Sequence, residues 1–169
     1  MRPLLPAMML LAAAPAFAQA PAELASRLPA EAAGWLKRGV TDLESRPGGA
    51  GLGAAAEYRP PSGPGVATVY LYRRATTVEA ELARTQEDIR SLGAMRQYTV
   101  SAPREWGSLL TGARCLVAEQ RFAGGQAADT YACVGQSAGW TVKLRVTLPS
   151  GTEASATLQA LSRAAYSVL

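Results

Sequence analysis

The sequence predicts an α+β fold, a single domain in which an antiparallel sheet of about five to seven strands is packed by two long amphipathic helices. Two observations support this prediction. Short strand patterns follow one another across turns rich in Gly and Pro, as is typical of antiparallel sheets. Two longer segments instead repeat apolar residues at helical spacing, so we expect helices to cover at least one face of the sheet.

Residues 1–18 have the layout of a secretory signal peptide. Arg2 supplies the positive end, an apolar stretch runs over residues 3–14, and a small-x-small cleavage motif occupies residues 16–18. An N-terminal membrane anchor is the alternative, but roughly a dozen apolar residues fall short of the about 20 needed to span a bilayer. We therefore expect this segment to be cleaved, leaving a single domain over residues 19–169 in the periplasm or secreted.

Up to residue 72 the chain alternates extended segments with loops. Residues 21–33 are rich in Ala and Glu and predict a short helix or turn. The Gly-rich residues 46–53 and the Pro/Gly run at residues 59–65 predict loops. Strands are predicted over residues 35–43, 52–58 and 66–72, the last of them rich in Val, Thr and Tyr.

Two segments predict the amphipathic helices. The first begins at a capping box of Thr76 and Glu79 and ends at Gly93. The second begins at a capping box of Ser150 and Glu153. The apolar faces are predicted to hold Val78, Leu82, Thr85, Ile89 and Leu92 in the first helix, and Ala154, Leu158, Leu161, Ala165 and Val168 in the second.

Two further strands are predicted after the first helix, over residues 96–101 and 141–148. The second of these alternates most regularly, with Val142, Leu144, Val146 and Leu148 on one face and Thr141, Lys143, Arg145 and Thr147 on the other. The order of all these elements loosely resembles that of Mog1/PsbP-type domains. Because the resemblance covers element order alone and carries no motif, it implies no functional residue.

Cys115 and Cys133 flank a predicted hairpin whose strands cover residues 114–121 and 128–134. Two cysteines in an exported protein favour a disulfide, with two buried free thiols as the alternative. The cysteines are closest when they lie directly opposite each other, and this register excludes a two-residue turn at Gly124-Gly125. We expect a loop of three or five residues, or a bulge, and a bond that contributes about 3 kcal/mol.

The composition removes several function classes. The chain has no histidine, which excludes Ser-His-Asp and Cys-His nucleophile systems and removes the commonest transition-metal ligand, so no metal and no cofactor are predicted. The net charge is +4, without a run of five or six like charges, so no nucleic-acid partner is predicted. No later apolar run predicts stable membrane insertion after signal cleavage.

Two glycine motifs match known fingerprints without the context that these need. Residues 135–139 match G-x-S-x-G, but a strand follows them and no histidine can activate the serine, so a hairpin turn is preferred. Residues 49–54 match the relaxed dinucleotide fingerprint G-x-G-x-x-A, but too few residues follow before Pro60 for a helix. A loop is preferred there.

Five residues of the predicted strands are candidates for a ligand or partner surface: Tyr70, Tyr72, Arg74, Lys143 and Arg145. Aromatic rings and cations on an exposed sheet face would suit sugars, peptides or polyanions. The alternative is a solvated sheet surface with tyrosines covered by a helix. The three tryptophans, Trp35, Trp106 and Trp140, are interpreted as core anchors.

Glu119 and Asp129 face each other in the register that suits the disulfide. Two facing carboxylates repel unless one is protonated or a cation intervenes, and such pairs can serve acid–base chemistry. The alternative is an ordinary surface pair with Arg121 close by. Asp42 and Glu57 are a second pair under the same hypothesis.

The leading hypothesis is a non-catalytic binding or accessory module of the cell envelope. It would bind an unknown envelope protein or a small ligand through its sheet face or its Gly/Pro loops, and no residue is assigned a catalytic role. One alternative is a histidine-free carboxylate-based hydrolase or lyase. Another is an assembly protein in which a sheet edge pairs with a partner strand.

Overall fold

The computed structural model describes residues 19–96 and 98–169, so the predicted signal peptide lies outside the described residues. The chain forms a single α+β domain, as predicted. The helices are α1 (Pro21–Arg27), α2 (Val78–Arg96) and α3 (Ser155–Ser167). The strands are β1 (Glu31–Ala32), β2 (Trp35–Asp42), β3 (Ala54–Arg59), β4 (Val66–Tyr72), β5 (Tyr98–Val100), β6 (Arg104–Ser108), β7 (Arg114–Phe122), β8 (Ala127–Ser137) and β9 (Trp140–Pro149).

All nine strands form one antiparallel sheet in the order β1-β2-β3-β4-β9-β8-β7-β5, and β6 also pairs with β7. The prediction of five to seven strands is therefore too low. The missed β1 has only two residues, and the missed β6 contains a register shift between Glu105 and Gly107, which interrupts the alternation that predicts a strand. The short α1 adds a third helix to the two long ones.

One face of the sheet is covered by α1 and α3 and holds the main core. The predicted apolar faces of β9 and α3 are both buried there: Val142, Leu144, Val146 and Leu148 from the strand, Leu158, Leu161 and Ala165 from the helix, and Ala154 and Val168 from its two caps. The predicted capping box is wrong. The Ser150 hydroxyl donates to Asp129, and the Glu153 carboxylate accepts the Ser155 N–H, so α3 begins later.

The other face is covered in part by α2, which lies against β5, β7 and β8. Ile89 packs there with Leu116, Ala118 and Ala132 in a second, smaller core. The cap of this helix is Thr77 rather than Thr76, because the Thr77 hydroxyl accepts the Ala80 N–H at 3.2 Å.

Gly93 lies inside α2 instead of ending it. A Cβ built there would lie 2.6 Å from Cγ2 of Val100 and 3.0 Å from the Tyr98 carbonyl oxygen. The glycine therefore allows the last turns of the helix to contact β5 closely, and the helix continues to Arg96.

The predicted disulfide and its register are confirmed. Cys115 and Cys133 are bonded and lie directly opposite each other on β7 and β8, with their Cα atoms 4.0 Å apart. A three-residue loop joins the strands, since the Phe122 N–H donates to the Gln126 carbonyl at 3.0 Å. Gly125 has a φ of 80°, the left-handed conformation that such a loop needs at its last position.

The G-x-S-x-G motif is a hairpin turn between β8 and β9, as predicted. Ala138 and Gly139 are its two turn residues, with φ angles of 49° and 78°. The first glycine of the motif has a packing role, because a Cβ on Gly135 would lie 2.0 Å from the Tyr166 hydroxyl of α3. The motif therefore forms the hairpin turn and leaves room for the Tyr166 side chain of α3.

The double substitution of Cys115→Ala and Cys133→Ala should lower the free energy of unfolding by about 3 kcal/mol, because the bond limits the conformations of the unfolded chain. Urea denaturation of the variant and of the oxidised wild type measures this difference. Wild-type protein unfolded under reducing conditions is the control and should match the variant. A loss below about 0.5 kcal/mol, the range of a neutral surface change, would contradict this account.

Candidate functional site

An open groove runs beside α2, because the helix covers only part of its sheet face. The floor of this α2 groove comes from β3, β4 and β9 and consists of Glu57, Thr68, Tyr70, Lys143, Arg145 and Thr147. The wall from α2 consists of Glu81, Arg84, Asp88, Leu92, Met95 and Arg96. The widest section, near the end of α2, has a volume of about 650 Å³.

The five residues predicted as a ligand or partner surface lie together along this groove. Tyr70 and Lys143 are opposite each other on β4 and β9, and the Lys143 Nζ lies 5.2 Å from the centre of the Tyr70 ring. Arg145 is one position further along the same face. Tyr72 and Arg74 lie at the other end, close to the beginning of α2.

Tyr72 does not fit the exposed role, because its side chain is covered by α2 and the residue is 3% exposed. For this tyrosine the alternative interpretation, burial under a helix, is the correct one. The other four candidates keep part of their surface open to the groove.

Glu81 is a buried residue beside the groove that the sequence did not indicate. It lies on the inner side of α2 and is 1% exposed. The Tyr72 hydroxyl donates to its carboxylate at 2.7 Å, and Arg74 and Arg84 lie at 3.4 and 3.3 Å. Burial and the neighbouring carboxylate raise the pKa of Tyr72, so the hydroxyl remains a donor. This Glu81 cluster fixes the beginning of α2 to β4.

Lys143 occupies the middle of the groove. Its side chain is 17% exposed, and its Nζ lies 3.6 Å from the Asp88 carboxylate of α2. Burial lowers the pKa of its ammonium group, and the attraction of Asp88 opposes this shift only in part. The buried Thr85 hydroxyl, which also lines this section, has no hydrogen-bond partner among the described residues.

Positive charge predominates along the α2 groove. The lining cations are Arg59, Arg74, Arg84, Arg96, Lys143 and Arg145, and the lining carboxylates are Glu57, Glu81 and Asp88. Glu57 lies 2.8 Å from Arg59. Within residues 19–96 and 98–169, no carboxylate lies within 4.0 Å of the Arg96 or Arg145 side chains. The wide section can therefore accept an anion.

Glu119 and Asp129 lie opposite each other as expected, but their carboxylates interact with different partners. The two residues are opposite each other on β7 and β8, as predicted. Glu119 pairs with Arg121, whereas Asp129 accepts from the Ser150 hydroxyl at 3.0 Å and the Gly151 N–H at 3.3 Å. Each carboxylate is thus held by its own partners, and Asp129 orders the turn before α3.

Asp42 and Glu57 do not form a pair at all. Asp42 is opposite Ala54, and Glu57 lies three residues further along β3. Because successive side chains alternate between the faces of a sheet, the two carboxylates leave opposite faces. Trp35 and Trp140 are buried as core anchors, at 6% and 4% exposure, and Trp106 is partly buried against the core.

The scan against protein-family models gives no match to this sequence, and the search of curated proteins gives none either. None of the helices in the described part of the chain is long and apolar enough to cross a membrane.

Glu81→Ala should lower the free energy of unfolding by about 3 kcal/mol, because it leaves the Tyr72 hydroxyl and two guanidinium groups without their acceptor. Glu87→Ala is the matched control on the same helix. The Glu87 side chain is 68% exposed and lies 3.6 Å from Arg90, so its loss should change stability by less than about 0.5 kcal/mol. Equal effects of the two substitutions in urea denaturation would contradict the anchoring role of Glu81.

The Lys143 ammonium group should lose its proton below the ordinary lysine pKa of 10.5. The unfolded chain then binds more protons than the folded one in this range, so deprotonation of Lys143 makes the fold more stable as pH rises. The chain has two lysines, and Lys37→Arg leaves Lys143 as the single source of a lysine Cε signal in carbon NMR. A midpoint at or above 10.5 would show that burial does not govern this group.

Proposed function

We propose that the protein is an exported, non-catalytic binding module of the cell envelope that holds its ligand in the α2 groove. The observation that carries this proposal is the convergence of partly exposed cations and a tyrosine in one open groove above the sheet. Ligand sites are typically concave, with a few polar groups that fix orientation. The groove has that form.

The signal-peptide pattern of residues 1–18 and the disulfide support the proposed export. Structural disulfides are typical of oxidising compartments such as the periplasm and the extracellular space. Cys115 and Cys133 are 2% and 0% exposed, which fits a structural bond better than a redox-active one.

The alternative functions receive less support. The carboxylate pairs do not converge in the groove, and Glu57, Glu81 and Asp88 each have a cationic partner there. An assembly role through a sheet edge would need a long exposed edge strand. The described edges are β5 and β6, with three and five residues, and β1, with two. Because β1 pairs only with Trp35 and Leu36, the rest of β2 is an edge as well, but a bulge at Arg38 and the charges of Lys37, Arg38 and Asp42 oppose pairing with another strand.

Native mass spectrometry of the protein from the periplasm of the organism that makes it tests the proposal. The expected species is the chain from residue 19 onward, with its disulfide, carrying a bound mass. Arg145→Glu should remove that mass by reversing a charge on the groove floor. Arg163→Glu, on the exposed side of α3 across the sheet, is the control and should retain it.

Three results would overturn the proposed function. One is an uncleaved chain in the cytoplasm. Another is a bound mass that Arg145→Glu leaves in place. The third is catalytic turnover by the purified protein that is lost on substitution of a carboxylate.

A further inference from the structure

We propose that the α2 groove takes a small amphiphilic anion, a single-chain molecule with a carboxylate- or phosphate-type headgroup. This inference deepens the proposed binding function and rests on it. The ligand would occupy the wide section of the groove and the depression that adjoins it.

The wide section provides the headgroup site. Arg96 and Arg145 enter it without a carboxylate partner among the described residues, and the hydroxyls of Thr68, Tyr70 and Thr147 line the same section. A guanidinium group is planar and always charged, and its fork of N–H donors matches the oxygens of a carboxylate or phosphate. Glu57 also lines this section but pairs with Arg59 at 2.8 Å, so the remaining charge of Arg96 and Arg145 is complementary to an anion.

An apolar depression continues directly from the wide section. Its apolar lining consists of Pro64, Val66, Phe122, Ala127, Ala128, Leu148 and Pro149, and its volume is about 530 Å³. Val66 and Phe122 line both the depression and the wide section, so the two are contiguous. Phe122 is 38% exposed, and its ring centre lies 5.3 Å from that of Tyr98, so part of the Phe122 side chain remains open above the depression.

The cationic wide section and the apolar depression together indicate which ligand the groove would bind. A simple anion such as acetate would neutralise the arginines and leave the depression and Phe122 in water. An uncharged chain would cover Phe122 and leave the arginines unpaired. An amphiphilic anion satisfies both regions, because apolar area is removed from water while a charge-assisted hydrogen bond forms.

Titration by amide NMR with octanoate, acetate and octanol tests this inference on the mature protein. Octanoate should shift the signals of Thr68, Phe122 and Arg145, with a dissociation constant about tenfold below those of acetate and octanol. Octyl phosphate distinguishes the headgroups, and saturable binding of either amphiphile at these residues supports the proposal.

Variants of the wide section and of the depression measure how much each region contributes to octanoate affinity. Arg145→Gln should weaken octanoate binding about tenfold, and Arg145→Lys, which keeps the charge without the fork, should weaken it less. Phe122→Ala should bring octanoate toward the affinity of acetate. Arg163→Gln on the far side of the sheet is the control and should leave the affinity unchanged. The amide spectrum of each variant verifies that it is folded.

The results that overturn the inference differ from those that overturn the binding function. If octanoate binds no more tightly than acetate, or binds Arg145→Gln as tightly as the wild type, the groove does not select an amphiphilic anion. Saturable binding of an octaglutamate peptide in the groove, with no binding of octanoate, would also overturn the inference that the ligand is amphiphilic. In each case the proposed binding function still stands if the wild-type protein carries a native ligand that Arg145→Glu lacks.

Discussion

The buried carboxylate of Glu81 ties α2 to the sheet, and the position of that helix decides which part of the sheet face remains open. An unpaired carboxylate in this place would destabilise the fold by several kcal/mol. Tyr72, Arg74 and Arg84 compensate for its removal from water with one hydroxyl and two guanidinium groups. Such a cluster adds little net stability compared with an apolar contact, but it specifies one placement of the helix.

The side chains beneath and beside α2 reinforce that placement. Ala118 and Ala132 lie under the helix and let its backbone come close to β7 and β8. Tyr70, Lys143 and Arg145, which lie beside it, are long and polar and stand up from the sheet. The same face is thus covered where its side chains are apolar, as at Leu116, Ala118 and Ala132, and open where they are long and polar. The Cys115–Cys133 bond holds the covered strands together from the opposite face.

Much of the fold follows from local patterns in the sequence. The alternation in β9, the apolar face of α3 and the register of the Cys hairpin were all predicted correctly, because each depends on spacing within one or two neighbouring elements. The capping box before α3 failed because Asp129 accepts the Ser150 hydroxyl and Glu153 accepts the Ser155 N–H, and the cap of α2 lies one residue later than predicted, at Thr77. The strand count failed at β1 and β6, which are too short or too irregular to alternate.

The candidate site was predictable only in part. Strand alternation places Tyr70, Lys143 and Arg145 on one face, but it does not say how much of that face a helix covers. Glu81 was not identified because a glutamate within a helix pattern is normally exposed, and its burial depends on tertiary partners on β4 and after it. Tyr72 was a candidate for the exposed surface, with burial under a helix as the alternative, because strand alternation does not show which side chains a helix covers. The order of the strands in the sheet brings together Phe122, Arg96 and Arg59, and local sequence patterns do not reveal that order.

Amide hydrogen exchange in the folded protein tests the central claim most directly, namely that the Glu81 cluster fixes α2 over one half of the sheet. The account predicts slow exchange along α2 in the wild type. In Glu81→Ala, protection should be lost in α2 while β8 and β9 stay protected, since local opening then requires little free energy. Fast exchange throughout α2 in the wild type, or unchanged protection of α2 in Glu81→Ala, would contradict the account.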